Sequence, residues 1–157
     1  MGATHFSGPV IAGDLQQGET NGPNQGYVVL SQSTSITQNS TNAVSSTLYI
    51  PAGAEIISFN VDVLTAFNSA TSANLTIGLA AAGTDYAGGA VGGANAINAK
   101  TAGRASITYT AAQLAAMAGV TTVGVAAPTT APVVVTVTPS GATSAGYVVV
   151  TMLYVQQ

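Results

Sequence analysis

The sequence predicts an all-β protein: a single antiparallel β-sandwich, jelly-roll-like, with one short helix and an extended N-terminal arm. Three observations carry this. Short segments of alternating apolar and polar residues recur along the chain, as in Ile57, Phe59, Val61 and Val63 against Ser58, Asn60 and Asp62. Alternation places one set of side chains on each face of a strand. Turn residues punctuate the segments, at Pro51-Ala52-Gly53 and Pro139-Ser140-Gly141 among others, in the spacing of a sandwich. Only one stretch, near Thr110, has a helix signature.

Residues 1–26 are rich in Gly, Gln and Asn and carry Pro9 and Pro23. They lack periodicity and read as an extended arm. The arm holds few apolar side chains, chiefly Phe6, Val10, Ile11 and Leu15. Such an arm is either loose or ordered against another subunit, and taken alone the loose form is favoured. Residues 27–157 form the sandwich domain.

Tyr27 to Ile36 is expected as the first strand, with Val28, Leu30 and Ile36 on one face. A polar turn, Thr37–Asn42, leads to a strand in which Val44, Ser46, Leu48 and Ile50 share a face. Pro51 has no amide donor and belongs at a strand end, and Gly53 serves the turn. The stretch Leu48–Leu79 is the expected centre of the fold. Its segments from Glu55 to Val63 and from Ala73 to Leu79 are expected as an antiparallel pair over the core. Ala73, Leu75, Ile77 and Leu79 form the second oily face. Residues 80–105 are small and irregular and are expected as a loop, with one helical turn, of the kind that makes interactions. Ser106–Tyr109 reads as a short strand.

Thr110 with Gln113 makes a capping box for a helix to Ala118, and Gly119 supplies the stop. Leu114 and Met117 share the face expected to lie on the sheet. Val120–Val125 and Val133–Thr138 are expected strands, joined by a turn over Ala126–Pro132. The last strand, Tyr147–Val155, is apolar on both faces, so it is central and buried on both sides, or buried on one side by an oligomer interface. The expected core comprises Leu48, Ile50, Ile57, Phe59, Val61, Val63, Leu75, Ile77, Val135, Val150 and Met152.

Composition narrows the functional classes. Charged residues make up 4% of the chain, against 47% hydrophobic; about 25% charged is typical. No run of about eighteen apolar residues offers a spanning helix, so no membrane segment is expected. The wet surface is therefore Ser, Thr, Asn, Gln and Gly, which neither titrates nor is screened by salt, and it tolerates close packing of many copies. Two basic residues and a net charge of −3 leave no patch for a phosphate backbone, so nucleic acid is not an expected partner. The chain has no cysteine. Met1–Phe6 shows no signal-peptide pattern.

No catalytic, cofactor or metal set emerges. His5 is the only histidine and lies in the arm, without a rigid element to hold it. Glu55 and Asp62, seven residues apart, are expected on opposite faces of one strand, too far apart for paired-carboxylate chemistry. Asp14 and Glu19 are close enough in sequence for a weak calcium site, but solvated acids fit them better. The glycine pairs between 83 and 93 lack the following Lys of a phosphate loop. Enzymatic activity is not expected.

Several blocks resemble a known group. Ala3-Thr4-His5-Phe6-Ser7-Gly8-Pro9-Val10, Ile50-Pro51-Ala52-Gly53-Ala54-Glu55-Ile56 with Asp62-Val63, and Gly103-Arg104-Ala105 are similar to small virion proteins of tailed bacteriophages. So are Thr110-Ala111-Ala112-Gln113-Leu114 and the ending Pro139-Ser140-Gly141-Ala142 through Gly146-Tyr147-Val148-Val149-Val150. The resemblance covers most of the chain. It implies a head decoration (cement) protein or a head-fibre-like virion protein on the outer surface of a phage head, typically a homotrimer, partnered by the major capsid protein. It brings no catalytic residues. From composition the arm is the candidate capsid contact, through Phe6, Val10, Ile11 and Leu15. The second reading is a tail or fibre protein that binds a receptor.

Overall fold

The structure, a computed structural model, describes residues 28–119 and 130–156. Eight strands and one helix are assigned among them. The strands are β1 (Val29–Thr37), β2 (Val44–Ile50), β3 (Ala54–Thr65), β4 (Ala73–Gly78), β5 (Ile97–Asn98) and β6 (Gly103–Arg104). Helix α1 (Ala111–Met117) follows, then β7 (Ala131–Pro139) and β8 (Tyr147–Gln156). They build two four-stranded antiparallel sheets, ordered β1-β8-β3-β6 and β2-β7-β4-β5. The pairing is nested: β1 with β8, β2 with β7, β3 with β6, β4 with β5. The chain is thus wound as one long hairpin rolled into a sandwich.

The inner faces of the sheets make one core. Leu48, Ile50, Phe59, Val61, Val63, Leu75, Ile77, Val135, Val150 and Met152 are all buried in it, as the alternation predicts. Ile57 is not; it is 47% exposed. The register with β8 slips between Ile56 and Ser58, a bulge that inserts one residue. An inserted residue inverts the phase of every side chain before it. Ile56 therefore enters the core in place of Ile57, and Ala54 with it. The same bulge corrects a second expectation. Glu55 lies opposite Val155 and Asp62 opposite Val149, on one outer face rather than on opposite faces. Seven residues of strand still separate them by about 20 Å.

The expected β3–β4 pair does not form. β3 bonds to β8 and β6, whereas β4 bonds to β7 and β5, so the two oily faces meet across the core rather than side by side. Alternation tells which face of a strand is apolar but not which strand lies next to it. Leu79 follows the end of β4 and is 49% exposed.

Residues 80–105 are not a free excursion. Ala87 bridges Ile77, and β5 continues along the same edge of β4. Tyr86, Ala87, Ile97 and Ala99 are buried. Gly78 permits the return of the chain, since a Cβ there would lie 2.5 Å from the carbonyl carbon of Gly83. No helical turn is assigned in this stretch. Ser106–Tyr109 does not form a strand; just before it the Ala105 amide continues the ladder, donating to Val61 O at 2.9 Å.

Helix α1 has the expected capping box. The Gln113 amide donates to Thr110 Oγ1 at 3.1 Å, and the Thr110 amide donates to Gln113 Oε1 at 2.9 Å. Gly119, at φ +70, ends it. The buried face is Gln113 and Met117, however, and Leu114 is 52% exposed. The helix packs its polar side chain inward because backbone carbonyls wait there. Gln113 Nε2 donates to Thr84 O and Gly88 O, both at 2.8 Å, tying the helix to the chain that covers β4.

β8 is central, between β1 and β3. Val148, Val150, Met152 and Tyr154 point into the core, while Val149, Thr151, Leu153 and Val155 on the outer face stay half-buried. Within the described chain, β8 is therefore fully covered on one side only. The expected strand Val120–Val125 lies outside the described residues, as do the arm and most of the turn Ala126–Pro132; Ala131 and Pro132 already belong to β7.

Candidate functional site

The titratable side chains are few and dispersed. Arg104 clasps Asp62 with two parallel bonds, Nε to Oδ1 at 2.8 Å and Nη2 to Oδ2 at 3.0 Å, on the outer surface beside β6. The guanidinium lowers the Asp62 carboxyl below its ordinary value, and the carboxylate raises Arg104. Both groups are solvated, so the pair contributes little to stability. Asp85 accepts the Leu79 amide at 2.9 Å, and Lys100 Nζ donates to Ala70 O at 3.0 Å. Each of these holds a turn. No group of three or more His, Cys, Asp or Glu gathers for a metal among the described residues. Phe6, Val10, Ile11 and Leu15, together with His5, Asp14 and Glu19, lie outside the described residues.

The buried phenols are structural. Tyr86 packs on Phe59, ring centres 6.3 Å apart. The Tyr109 hydroxyl accepts the Phe59 amide at 3.2 Å on the open edge of β3. Burial raises both phenol pKa values, with the Asp85 charge adding to Tyr86 and the Phe59 bond opposing it at Tyr109. A raised folded-state pKa keeps its stabilisation below the unfolded value, about 10, and loses it as pH rises through the folded value. The melting temperature is therefore expected to be flat from about pH 6 to about pH 9 and to fall above about pH 10. A Tyr86→Phe/Tyr109→Phe double variant is expected to show a shallower alkaline fall. An unchanged fall in thermal melts would mean that neither phenol is held neutral by the fold.

The surface has one pronounced asymmetry. Of the nine exposed large apolar residues described, six are Val28, Val29, Leu30, Tyr49, Ile57 and Leu79; Leu64, Val91 and Leu114 lie apart from them. The register puts the six at one end of the sandwich. Val29 pairs with Val155, Tyr49 with Pro132, and Gly78, just before Leu79, with Val134. At this end β2 turns into β3, β8 finishes, and the described chain begins at residue 28. The half-buried outer side chains of β8, Val149, Leu153 and Val155, run from it up one sheet face. This gathering was not read from the sequence, since the residues come from five separate segments.

Two clefts flank the chain that covers β4. One, about 440 Å³, opens between α1 and Thr84–Asn95. The other, about 280 Å³, is lined by Thr71, Ser72, Asn74, Val91 and Asn98 with small residues between.

Comparison with family models, with curated proteins and with solved structures finds no match for this chain.

Proposed function

We propose that this protein is a structural virion protein, a decoration or cement subunit that binds the outer surface of a phage head as a homotrimer and stabilises neighbouring capsid subunits. One observation carries the reading: of the nine exposed large apolar side chains among the described residues, all but Leu64, Val91 and Leu114 lie at the end of the sandwich where the described chain begins. Exposed apolar patches on a polar molecule mark protein contact surfaces. Here the remaining surface is hydroxyl- and amide-rich and nearly uncharged, which suits dense packing on a lattice. The nested strand pairing supports the jelly-roll form of the sandwich, an architecture found in viral capsid and lectin domains; that support is an analogy at the level of fold. The blocks similar to phage virion proteins map onto the β2–β3 turn, β6, the start of α1 and the β7–β8 turn.

The arm is the proposed capsid contact. Phe6, Val10, Ile11 and Leu15 are spaced to enter separate pockets, and an extended chain can add hydrogen bonds to a sheet edge. Ordering it costs about 1–2 kcal/mol per residue, so single arms bind weakly and three gain by avidity. Deletion of residues 1–22 is expected to leave the melting temperature and the trimer intact while abolishing decoration of bare heads from the parent particle. A truncated protein that saturates those heads at the wild-type concentration would place the contact on the sandwich. A monomer by light scattering at micromolar concentration would remove the trimer. The second reading, a tail or fibre protein, predicts few copies per particle rather than many.

A further inference from the structure

We propose that the open side of the sandwich, formed by the free edges of β1 and β2, pairs edge to edge with the same side of a second copy across a two-fold axis. This goes beyond the capsid reading, which assigns the arm and the apolar end to the shell and leaves this side without a partner. On a head the pairing would join one trimer to the next.

The two sides of the sandwich are finished differently. On one side the edge strands β5 and β6 are two residues each, and Tyr86, Ala87, Ile97, Ala99 and Met117 close the core behind them. Short, covered edges resist pairing with other chains. On the other side β1 runs for nine residues and β2 for seven, each bonded along one edge only, to β8 and β7. Among the described residues no backbone hydrogen bond reaches either free edge. Neither strand before Pro51 contains a charged residue or a proline, and neither register is interrupted by a bulge. Charge, proline and bulges are the devices that keep an edge from pairing, and these two strands have none of them. The core is also unsealed along this side. Leu30, Gln32 and Thr34 lie opposite Tyr154, Met152 and Val150 and so face inward, as Val44 and Ser46 do opposite Val137 and Val135. Yet Leu30 is 37% exposed and the other four are only half-buried.

Each edge is its own complement. Antiparallel pairing of β1 with the same strand of a second copy, over its whole length, centres on Ser33. Leu30 then meets Ile36, Gln32 meets Thr34 and Ser31 meets Ser35, with no like charges opposed. Strand β2 paired in the same way centres on Thr47. The hydrogen bond between Thr34 Oγ1 and Ser46 Oγ sets these two centres over each other, so one axis through both sheets serves both edges. Such a two-fold contact closes on itself. The nine residues of β1 span about 30 Å, and two sheets about 10 Å apart with their side chains make a face about 20 Å wide. A second copy would cover roughly 600 Å² on each, about 1,200 Å² in all, at the lower limit for a stable interface. That size suits a contact between copies already held close together on a lattice.

The chain has no cysteine, so single cysteines report this register cleanly. Ser31, Ser33 and Ser35 are exposed on the outer face. Each variant of the full chain is oxidised at high micromolar concentration and run on a denaturing gel without reductant. Ser33→Cys is expected to give a covalent dimer as its main product, since the two sulfurs flank the axis. Ser35→Cys alone is expected to link at least about tenfold more slowly, because its two sulfurs lie about 14 Å apart, beyond the roughly 7 Å that a disulfide allows between Cα atoms. Ser31→Cys mixed with Ser35→Cys is expected to link as Ser33→Cys does. No dimer from Ser33→Cys, or equal linking by Ser33→Cys and Ser35→Cys alone, would overturn the proposal. Linking by Ser33→Cys only after removal of residues 1–27 would overturn it too, and would assign the edge to the arm.

Discussion

Phe59→Ala is expected to destabilise the protein by about 3–5 kcal/mol, the usual loss for a buried phenylalanine. Phe59 is 4% exposed, touches Tyr86 across the core, and lies one residue beyond the bulge that sets the phase of β3. The informative control is Ile57→Ser. Strict alternation from Val63 back to Ile57 would make both substitutions costly. The bulge makes only the first costly, and Ile57→Ser is expected within about 0.5 kcal/mol of wild type, as for surface changes elsewhere. Urea unfolding of the two variants measures this directly. A Phe59→Ala cost below about 1 kcal/mol, or an Ile57→Ser cost above about 2 kcal/mol, would mean that β3 is registered differently.

Gln113→Ala is expected to cost about 2–4 kcal/mol. It removes the Gln113 side-chain half of the capping box, the acceptor of the Thr110 amide, while the Gln113 amide can still donate to Thr110 Oγ1, and it leaves the carbonyls of Thr84 and Gly88 without their donor. The helix and the chain over β4 then lose the two side-chain hydrogen bonds that join them, so hydrogen exchange is expected to rise in residues 84–88 as well as in the helix. Leu114→Ala, at a 52% exposed site, is expected to change stability by less than about 1 kcal/mol. The reverse ranking would restore the apolar face, Leu114 with Met117, as the buried one.

These two sites also show where the sequence was readable. The alternation of Phe59, Val61 and Val63, of Leu75 and Ile77, and of Val148, Val150 and Met152 reports burial faithfully, because each run lies in unbroken ladder. The Thr110–Gln113 box is local chemistry and needs no tertiary partner to be recognised. Ile57 was not readable, since nothing in the residues around it announces an inserted position. The separation of β3 and β4 into different sheets was not readable either, for a face pattern carries no information on lateral neighbours. Gln113 was missed as a buried residue because its partners, the carbonyls of Thr84 and Gly88, are backbone groups far from it in sequence. The Asp62–Arg104 pair spans 42 positions and the apolar end collects residues from five segments. Both exist only after the rolled hairpin brings distant strands together.

The surface account rests on the same geometry. Val29, Tyr49 and Leu79 read as ordinary strand residues in the sequence, yet they are exposed together at the end of the sandwich where the described chain begins. The most direct measurement is a cryo-electron-microscopy map of the parent particle. The account predicts three-fold clusters of the sandwich in many copies on the outside of the head, with the end bearing Val29, Tyr49 and Leu79 turned toward the shell. Density for the protein confined to the tail or its fibres, or clusters on the head with that end turned to solvent, would contradict it.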